Sequence, residues 1–139
     1  MALEPVKQDN FDIFQEEYSR PRNQAVRQAE RAVFGHEVGL NGYTTLEQAW
    51  ELCDHLKLTV DDYLLDLGGG RGWPGLHIAQ ESHCGLVSTD IPLDALREAK
   101  VNVEARVLHS DVEVIAADGR ALPFRSECFD AIVHADVFC

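Results

Sequence analysis

The sequence has few basic residues. Its 12 Lys plus Arg stand against 24 Asp plus Glu, which gives a formal net charge of −12 over 139 residues. Proteins that bind a nucleic-acid backbone do so largely through Lys and Arg, which displace condensed counterions. The shortage, with a pI near 4.7, predicts no nucleic-acid partner and favours a small ligand that is neutral or cationic.

Cysteine is also scarce, and its pattern has no metal or disulfide signature. The four cysteines are scattered, and no two of them form a Cys-x-x-Cys pair, so no metal site is predicted. No apolar run approaches the roughly 18 residues of a membrane span, and the first residues contain no apolar stretch of signal-peptide length. We therefore expect no membrane contact and a cytoplasmic, reducing compartment.

The rest of the composition is that of an ordinary globular domain. Hydrophobic residues make up 45% of the chain, charged residues 26%, and there are only 10 Gly and 5 Pro. The length suits one domain rather than two. Residues 1–20 are polar with a few aromatic residues, which predicts a loose N-terminal arm that docks through rings such as Tyr18. Residues 21–139 are predicted to form the domain itself.

Hydrophobic spacing predicts the secondary structure. Apolar residues three and four apart indicate helices at about 21–34 and from Leu46, where Thr44–Glu47 has the Thr-x-x-Glu form of a capping box. Short apolar runs then alternate with further helical patterns that open near Pro74 and Pro92. This alternation is typical of an α/β, Rossmann-like, doubly wound parallel sheet preceded by N-terminal helices. The predicted strands are 63–67, 85–89, 112–116 and 129–133.

Acidic residues lie at the ends of three of these strands. Asp66 is one residue before the end of the first strand, Asp90 follows the second, and Asp118 follows the third. The first strand runs into a glycine-rich turn, 68–72, whose glycines allow positive φ and close approach of a ligand to the backbone. Open parallel sheets bind ligands beyond the carboxyl ends of their strands. The three acids therefore predict a ligand site at this edge.

Two nucleotide-binding alternatives can be weighed on the glycine turn. Gly70, Gly72 and Gly75 fit the Gly-x-Gly-x-x-Gly spacing of a dinucleotide site, so glycine spacing alone does not exclude a nicotinamide dinucleotide. A buried acid at Asp66, together with Asp118, is not what a pyrophosphate requires. The turn has no Gly-Lys-Ser or Gly-Lys-Thr, which argues against a nucleoside-triphosphate loop.

The segment Leu65–Gly72 resembles the first motif of class I S-adenosylmethionine-dependent methyltransferases. Asp90 at the end of the second strand is similar to that family too, as is Ala117–Phe124 preceding Phe129–Val133. The resemblance covers about residues 63–138 and is to the small-molecule, methyltransferase type 11-like branch, which includes the ubiquinone and menaquinone enzymes. The segment Gly42–Thr45 is similar to phosphoethanolamine and sarcosine methyltransferases.

This resemblance implies a cofactor and a role for each matching residue. Asp66 would face the methionyl ammonium of S-adenosyl-L-methionine, directly or through water, Asp90 would accept from the two ribose hydroxyls, and Asp118 would accept from the adenine amino group. Ile91 would pack on the adenine, and His134 or its neighbour Ala135 would line the methionyl part. The implied cofactor-binding residues are Asp66, Gly68, Gly69, Gly70, Asp90, Ile91, Asp118, Gly119 and His134.

Methyl transfer is a direct displacement, so a protein has mainly to align donor and acceptor and to exclude water. No catalytic residue is therefore demanded by the chemistry. Two candidates remain: Tyr43, which would close over the cofactor or touch the acceptor, and His134, which would act as general base. A rim aromatic residue is an equally good interpretation of Tyr43. The acceptor is expected to be a small molecule, an amine or a neutral compound rather than a phosphate-rich one.

Members of the resembled class have a longer sheet, of which this chain has only the first four strands, in the expected order 3-2-1-4. Strand four would then be an apolar edge that invites pairing. The expected explanations are a fragment of a longer enzyme, which we favour, a homodimer, or a partner chain that supplies the missing half. The chain would supply the cofactor-binding half of a methyltransferase; alternatively it is a non-catalytic S-adenosylmethionine-binding or regulatory module.

Overall fold

The computed structural model describes residues 8–40, 42–106, 108 and 110–137. Residues 1–7 of the predicted arm and residue 138 at the end of the resemblance lie outside this described part. Within it the chain forms five helices and four strands. The helices are α1 Gln8–Ser19, α2 Gln24–Phe34, α3 Leu46–Leu56, α4 Gly75–Ser82 and α5 Leu93–Glu104; the strands are β1 Tyr63–Leu67, β2 Gly85–Asp90, β3 Val112–Ala116 and β4 Ala131–Val133.

The strands form one parallel sheet in the order β3-β2-β1-β4, which confirms the predicted order. In the register, Leu67 pairs with Thr89, and Asp90 pairs with Ala116. Asp66 pairs with Val133 on the other side of β1. The carboxyl ends of all four strands therefore meet at one edge, where the residues that follow each strand can surround a common ligand.

Helices α3, α4 and α5 contribute to the hydrophobic core on one face of this sheet. Leu64 and Leu86, which are paired neighbours on β1 and β2, contact Leu76 and Ile78 of α4 in a core whose residues are fully buried. Partly buried residues of α3 and α5, among them Leu52 and Val103, pack against the same cluster. The period of two in the strands and of 3.6 in the helices turns these apolar residues to the same side.

A smaller core joins α2 to the turn before α4. Trp73 is 2% exposed and packs with Val38 and Ala49. Its ring meets Phe34 edge to face, at a centroid distance of 5.8 Å. Trp73 Nε1 donates to the Thr44 carbonyl at 2.9 Å. Trp73 is therefore a packing residue, and its indole joins the helical N-terminal part of the domain to the glycine turn.

The N-terminal segment differs from its prediction. Residues Gln8–Ser19 form a regular helix and not a loose arm, and this helix contacts α5. Docking through an aromatic ring is observed, because the guanidinium of Arg71 lies 4.6 Å from the centre of the Tyr18 ring. A 12-residue helix with a weak apolar stripe is marginal alone, so this tertiary contact decides its structure.

The N-cap of α3 lies one residue later than the predicted capping box implies. Thr45, not Thr44, is the N-cap, and the reciprocal capping partner is Gln48 rather than Glu47. The hydroxyl of Thr44 is used elsewhere, as a donor to Asp136 at 3.2 Å.

The last strand is shorter than predicted, because its first two residues lie outside β4. The Asp130 carboxylate accepts a hydrogen bond from the Tyr63 N–H at 2.8 Å, and Phe129 packs edge to face on Phe124. None of the helices in the described part is both long and apolar enough to cross a membrane.

Candidate cofactor and acceptor site

The glycine turn after β1 is held against the end of β2 by its own backbone. The Gly68 and Gly69 N–H groups both donate to the Thr89 carbonyl, at 2.8 and 3.0 Å. The next amide, of Gly70, donates to Asp90 Oδ2 at 2.8 Å. Gly68 and Gly70 have φ of 74° and 54°, a region that side chains disfavour. The turn therefore needs glycine for its conformation as well as for ligand access.

Asp66 lies beneath this turn with its carboxylate fully enclosed. It is 1% exposed, and neither carboxylate oxygen has a hydrogen-bond partner among the described residues. Methyl groups added at Gly69 or at Gly75 would collide with this carboxylate. The space that the carboxylate occupies therefore exists because these two residues have no side chain. Burial, with a smaller contribution from the charge of Asp90, raises the pKa of Asp66 to about 7, against the lowering effect of the nearby Gly75 backbone amide. An orphaned buried acid of this kind is suited to receive a cation.

Asp90 is oriented for binding by two backbone amides. Besides the Gly70 N–H on Oδ2, its Oδ1 accepts the Ile91 N–H at 2.7 Å. Each carboxylate oxygen keeps acceptor capacity, because a carboxylate has about four acceptor positions. Burial raises the pKa of Asp90, against the lowering effect of these two amides. Ile91 beside it is 40% exposed, a surface position suited to a flat ligand.

Asp118 is at the predicted edge but is already engaged. Arg120 donates to both of its oxygens, with the shortest contact 2.6 Å from Nη2 to Oδ2. This arginine also lowers the pKa of Asp118 to about 2. Gly119 next to it faces Leu67, to which an added methyl group would come within 3.2 Å. An adenine amino group would therefore share this carboxylate with Arg120.

Sequence reasoning did not assign Tyr18 a place at this edge. Burial first, and then the charge of Asp90, raise the pKa of Tyr18 to about 12, while Arg71 acts in the opposite direction. Arg71 is 7% exposed and its Nε donates to Glu98 Oε2 at 2.8 Å. The arginine of the glycine turn thus links α1 to α5 beside Asp90. No periodicity in residues 1–20 could have located this contact.

Tyr43 and His134, the two catalytic candidates, line one cleft of about 410 Å³ between α3 and the end of β4. Tyr43 is 85% exposed. Glu51 and His55 of α3 also line this cleft, as does Asp136. The tertiary structure thus brings together two residues that are far apart in the sequence. The high exposure of Tyr43 agrees both with an aromatic residue at the rim of the cleft and with a residue that closes over the cofactor or touches the acceptor.

Asp136 is a site residue that sequence reasoning missed. Its Oδ2 accepts hydrogen bonds from the Tyr43 N–H at 2.8 Å and from the Thr44 N–H at 3.2 Å. An added methyl group at Gly42 would collide with the same carboxylate. The one available signal was position, because Asp136 follows the fourth strand as Asp90 and Asp118 follow theirs. This residue fixes the Tyr43 loop to the carboxyl edge.

The donor set can be tested against the ligand classes that the sequence left open. A dinucleotide pyrophosphate would need the N-terminus of α4 to be open, yet the carboxylate of Asp66 lies against Gly75 there. A second negative charge would be repelled. A cationic amine with ribose hydroxyls and an adenine instead suits Asp66, Asp90 and Asp118. No three His, Cys, Asp or Glu side chains of the described residues are grouped to hold a metal ion.

Residues 64–139, more than half of the chain, match the methyltransferase domain family. The chain belongs to that family. This methyltransferase domain is 31% identical over 99 residues to a probable fatty acid methyltransferase of Pseudomonas putida, with coverage of 68% of this chain and 25% of that protein. It is 27% identical over 128 residues to the mouse mitochondrial arginine-hydroxylase NDUFAF5, with coverage of 90% and 34%.

Its fold is that of solved S-adenosylmethionine-dependent methyltransferases. The crystal structure of one from Thiobacillus denitrificans, in complex with S-adenosyl-L-homocysteine, superposes with a TM-score of 0.61 at 21% identity, covering 83% of this chain and 44% of that one. The chain spans about a quarter to a third of the length of the curated relatives it matches. The class I methyltransferase fold inferred from the motifs is therefore confirmed, whereas the individual site residues remain predictions.

Proposed function

We propose that this domain binds S-adenosyl-L-methionine at the carboxyl edge of its sheet and supplies the cofactor-binding half of a methyltransferase for a small-molecule acceptor. The observation that carries the proposal is the enclosed carboxylate of Asp66, which has no hydrogen-bond partner among the described residues. A buried carboxylate without a partner is costly to the free protein. A cationic ligand group that interacts with this carboxylate, directly or through a water molecule, would offset that cost, and the methionyl ammonium is such a group.

Each of the other predicted residues has a corresponding part of the cofactor. Asp90, held by the Gly70 and Ile91 amides, would accept hydrogen bonds from the ribose hydroxyls. The half-exposed Ile91 would pack against the adenine, and Asp118 would take its amino group beside Arg120. The turn glycines 68–70 and Gly119 would allow the close approach of the backbone.

The bound cofactor would supply an electrophilic methyl group on a sulfonium. The protein's task is then to align the acceptor with it and to exclude water. The cleft between Tyr43 and His134 is the place for the acceptor. Tyr43 would orient or cover it, and the His134 imidazole would hold the proton that the acceptor loses.

The acceptor class follows from the charge of the cleft. Glu51 and Asp136 contribute carboxylates to the lining, and no Lys or Arg of the described residues lines it. An amine or a neutral acceptor is therefore favoured over a phosphorylated one. The Pseudomonas putida relative is named for fatty acids and the mouse relative for arginine hydroxylation. Because these two names describe different reactions, cofactor binding and methyl transfer by this chain need separate measurements.

We also propose that further polypeptide covers the outer edge of β4, either more of the same protein, a second copy or a partner chain. Ile132 on this strand is 59% exposed, and β4 is the terminal strand of the described sheet. An uncovered apolar edge promotes association. Light scattering on the purified chain would show whether a second copy takes this place.

The experiment that tests the cofactor proposal is calorimetric titration with S-adenosylmethionine and S-adenosylhomocysteine. We expect saturable binding that Asp90→Ala weakens at least tenfold, since two hydroxyl contacts are lost. Asp94→Ala is the matched control, because Asp94 is on the adjacent helix and forms a local ion pair with Arg97. Absence of binding to a chain with a folded circular dichroism spectrum would refute the proposal. Unchanged turnover by His134→Gln, with cofactor binding retained, would exclude that residue as the base.

A further inference from the structure

A second cleft, of about 220 Å³, lies on the outer side of the helical layer. It is formed by α2, α3, α4 and the segment after α5, and it shares no lining residue with the cleft at Tyr43 and His134. Its apolar lining includes Val33, Phe34 and Trp50, and its polar lining includes His77 and Arg106. None of the predicted cofactor residues lines it.

Arg106 is the charged group of this second cleft. It is 8% exposed, and one hydrogen bond is made by its Nη2, to the Val38 carbonyl at 3.4 Å. Its Nε and Nη1 have no hydrogen-bond partner among the described residues. Two unmet donors on a buried guanidinium are expensive, and native proteins seldom leave such groups without a ligand or water.

Glu30, the carboxylate whose charge acts on Arg106, is occupied by other partners. It is 1% exposed, and it accepts hydrogen bonds from the backbone amides of residues 38, 39 and 40 and from the side chain of Arg22. Its charge raises the pKa of Arg106, although burial outweighs this and lowers that pKa to about 10. The guanidinium is therefore cationic at neutral pH and is not hydrogen-bonded to Glu30.

His77 adds a second polar group. It is 6% exposed, and its Nε2 also has no hydrogen-bond partner among the described residues. The ring meets Trp50 edge to face at a centroid distance of 4.9 Å. Burial, Arg106 and His36 together lower the pKa of His77 to about 4, so the imidazole is neutral and can donate from Nε2 in one tautomer.

We propose that this cleft is a binding site for a small carboxylate with an apolar body, whose carboxylate contacts the unmet donors of Arg106 and His77. The apolar part would lie on Phe34, Trp50 and Val33 at the mouth. One guanidinium matches one negative charge. A doubly charged anion is disfavoured, because Glu81 also lines the cleft. The proposal is independent of the cofactor site, since the two share no residue.

The test uses the whole chain and sodium benzoate as the probe, with sodium chloride keeping the ionic strength constant. We expect a saturable change in tryptophan fluorescence, from Trp50, and a concentration-dependent rise in melting temperature. Arg106→Met should weaken benzoate binding at least tenfold. Arg97→Met is the control, because that arginine side chain is 74% exposed and forms its ion pair with Asp94, away from the cleft lining. No saturable response of the wild type, or equal binding by Arg106→Met, would overturn the proposal.

A second variant keeps the test decisive if Arg106→Met does not fold. Val33 is 64% exposed at the mouth of the cleft, and Val101, at 62% exposure on α5, is its matched control. Val33→Glu should weaken benzoate binding at least fivefold, whereas Val101→Glu should not. Equal affinity of the two variants would refute the site. Inorganic phosphate should bind at least tenfold more weakly than benzoate, and equal affinity would refute the apolar part of the assignment.

Discussion

The carboxylate of Asp136 accepts the backbone N–H of Tyr43 at 2.8 Å, across 93 residues of sequence. The same oxygen accepts the Thr44 N–H at 3.2 Å and the Thr44 hydroxyl at 3.2 Å. The loop that carries one catalytic candidate is therefore fixed to the segment that carries the other, His134. This carboxylate therefore links two segments that line the proposed acceptor cleft.

Asp136→Ala should loosen the Tyr43 loop without unfolding the sheet. Hydrogen bonds to a charged acceptor contribute about 1.5–3 kcal/mol each, so we expect amide exchange at Tyr43 and Thr44 to be at least roughly tenfold faster. Hydrogen exchange followed by NMR measures it. Asp111→Ala, at an exposed position next to β3, is the control that should leave these amides unchanged. Unchanged protection in Asp136→Ala would contradict the proposed role.

Gly75→Ala should destabilise the domain, because its methyl group would collide with the enclosed Asp66 carboxylate. Overpacking of this kind costs about 1–3 kcal/mol of unfolding free energy. In an Asp66→Ala background the contacts with the carboxylate atoms are removed and the contact of 2.8 Å with the Asp66 Cβ remains, so the same change should cost clearly less. Urea denaturation of the wild type, the two single variants and the double variant measures the free energy of unfolding in each case, which completes this double-mutant cycle. Equal costs in both backgrounds would show that the carboxylate is not the colliding group.

Asp66→Asn should change the pH dependence of stability. The pKa of Asp66 is about 7 in the folded chain, raised from 3.8, so between these values the folded state binds a proton that the unfolded state has released. Stability from this group is complete below about pH 4 and falls by roughly 1 kcal/mol per pH unit as pH rises toward 7. The variant lacks this decline, and its stability relative to wild type should therefore increase from pH 4 to pH 8.

Denaturation midpoints across that pH range measure the effect of Asp66→Asn. Asp61→Asn, at an exposed position before β1, is the control that should follow the wild type. Parallel profiles for Asp66→Asn and wild type would contradict a raised pKa. The same variant should bind S-adenosylmethionine at least tenfold more weakly, because a neutral amide attracts the ammonium less than a carboxylate does.

Tyr18→Leu should weaken both α1 docking and cofactor binding. Its ring lies on Arg71, whose guanidinium is 4.6 Å from the ring centre, and such contacts contribute about 0.5–2 kcal/mol. We expect a lower melting temperature and a roughly threefold to tenfold loss of S-adenosylhomocysteine affinity. Tyr18→Phe keeps the ring and should retain most of the stability. Phe14→Leu on the exposed face of α1 is the control, and an equal effect there would show that the contact with Arg71 is not responsible.

The sequence was a good guide wherever the signal is local. The positions of β1, β2 and β3 agree with prediction to within one residue because a buried strand is a continuous apolar run bounded by turn residues. It was a poorer guide at element ends. The cap of α3 moved from Thr44 to Thr45, since Asp136 binds Thr44, a choice that local pattern does not contain. Helix α1 was missed because its contacts with α5 and Arg71 stabilise it.

The sequence by itself determined the alternation of strands and helices, the sheet order inferred from the family's motifs, and the location of Asp66, Asp90 and Asp118 at the ends of strands. These features depend on short-range periodicity and on residues next to each strand. Only the tertiary structure decided that Asp66 is enclosed without a hydrogen-bond partner among the described residues, that Arg120 engages Asp118, and that Asp136 holds the Tyr43 loop. The burial of a group and the choice among competing partners depend on which distant segments pack together, and no local pattern encodes that.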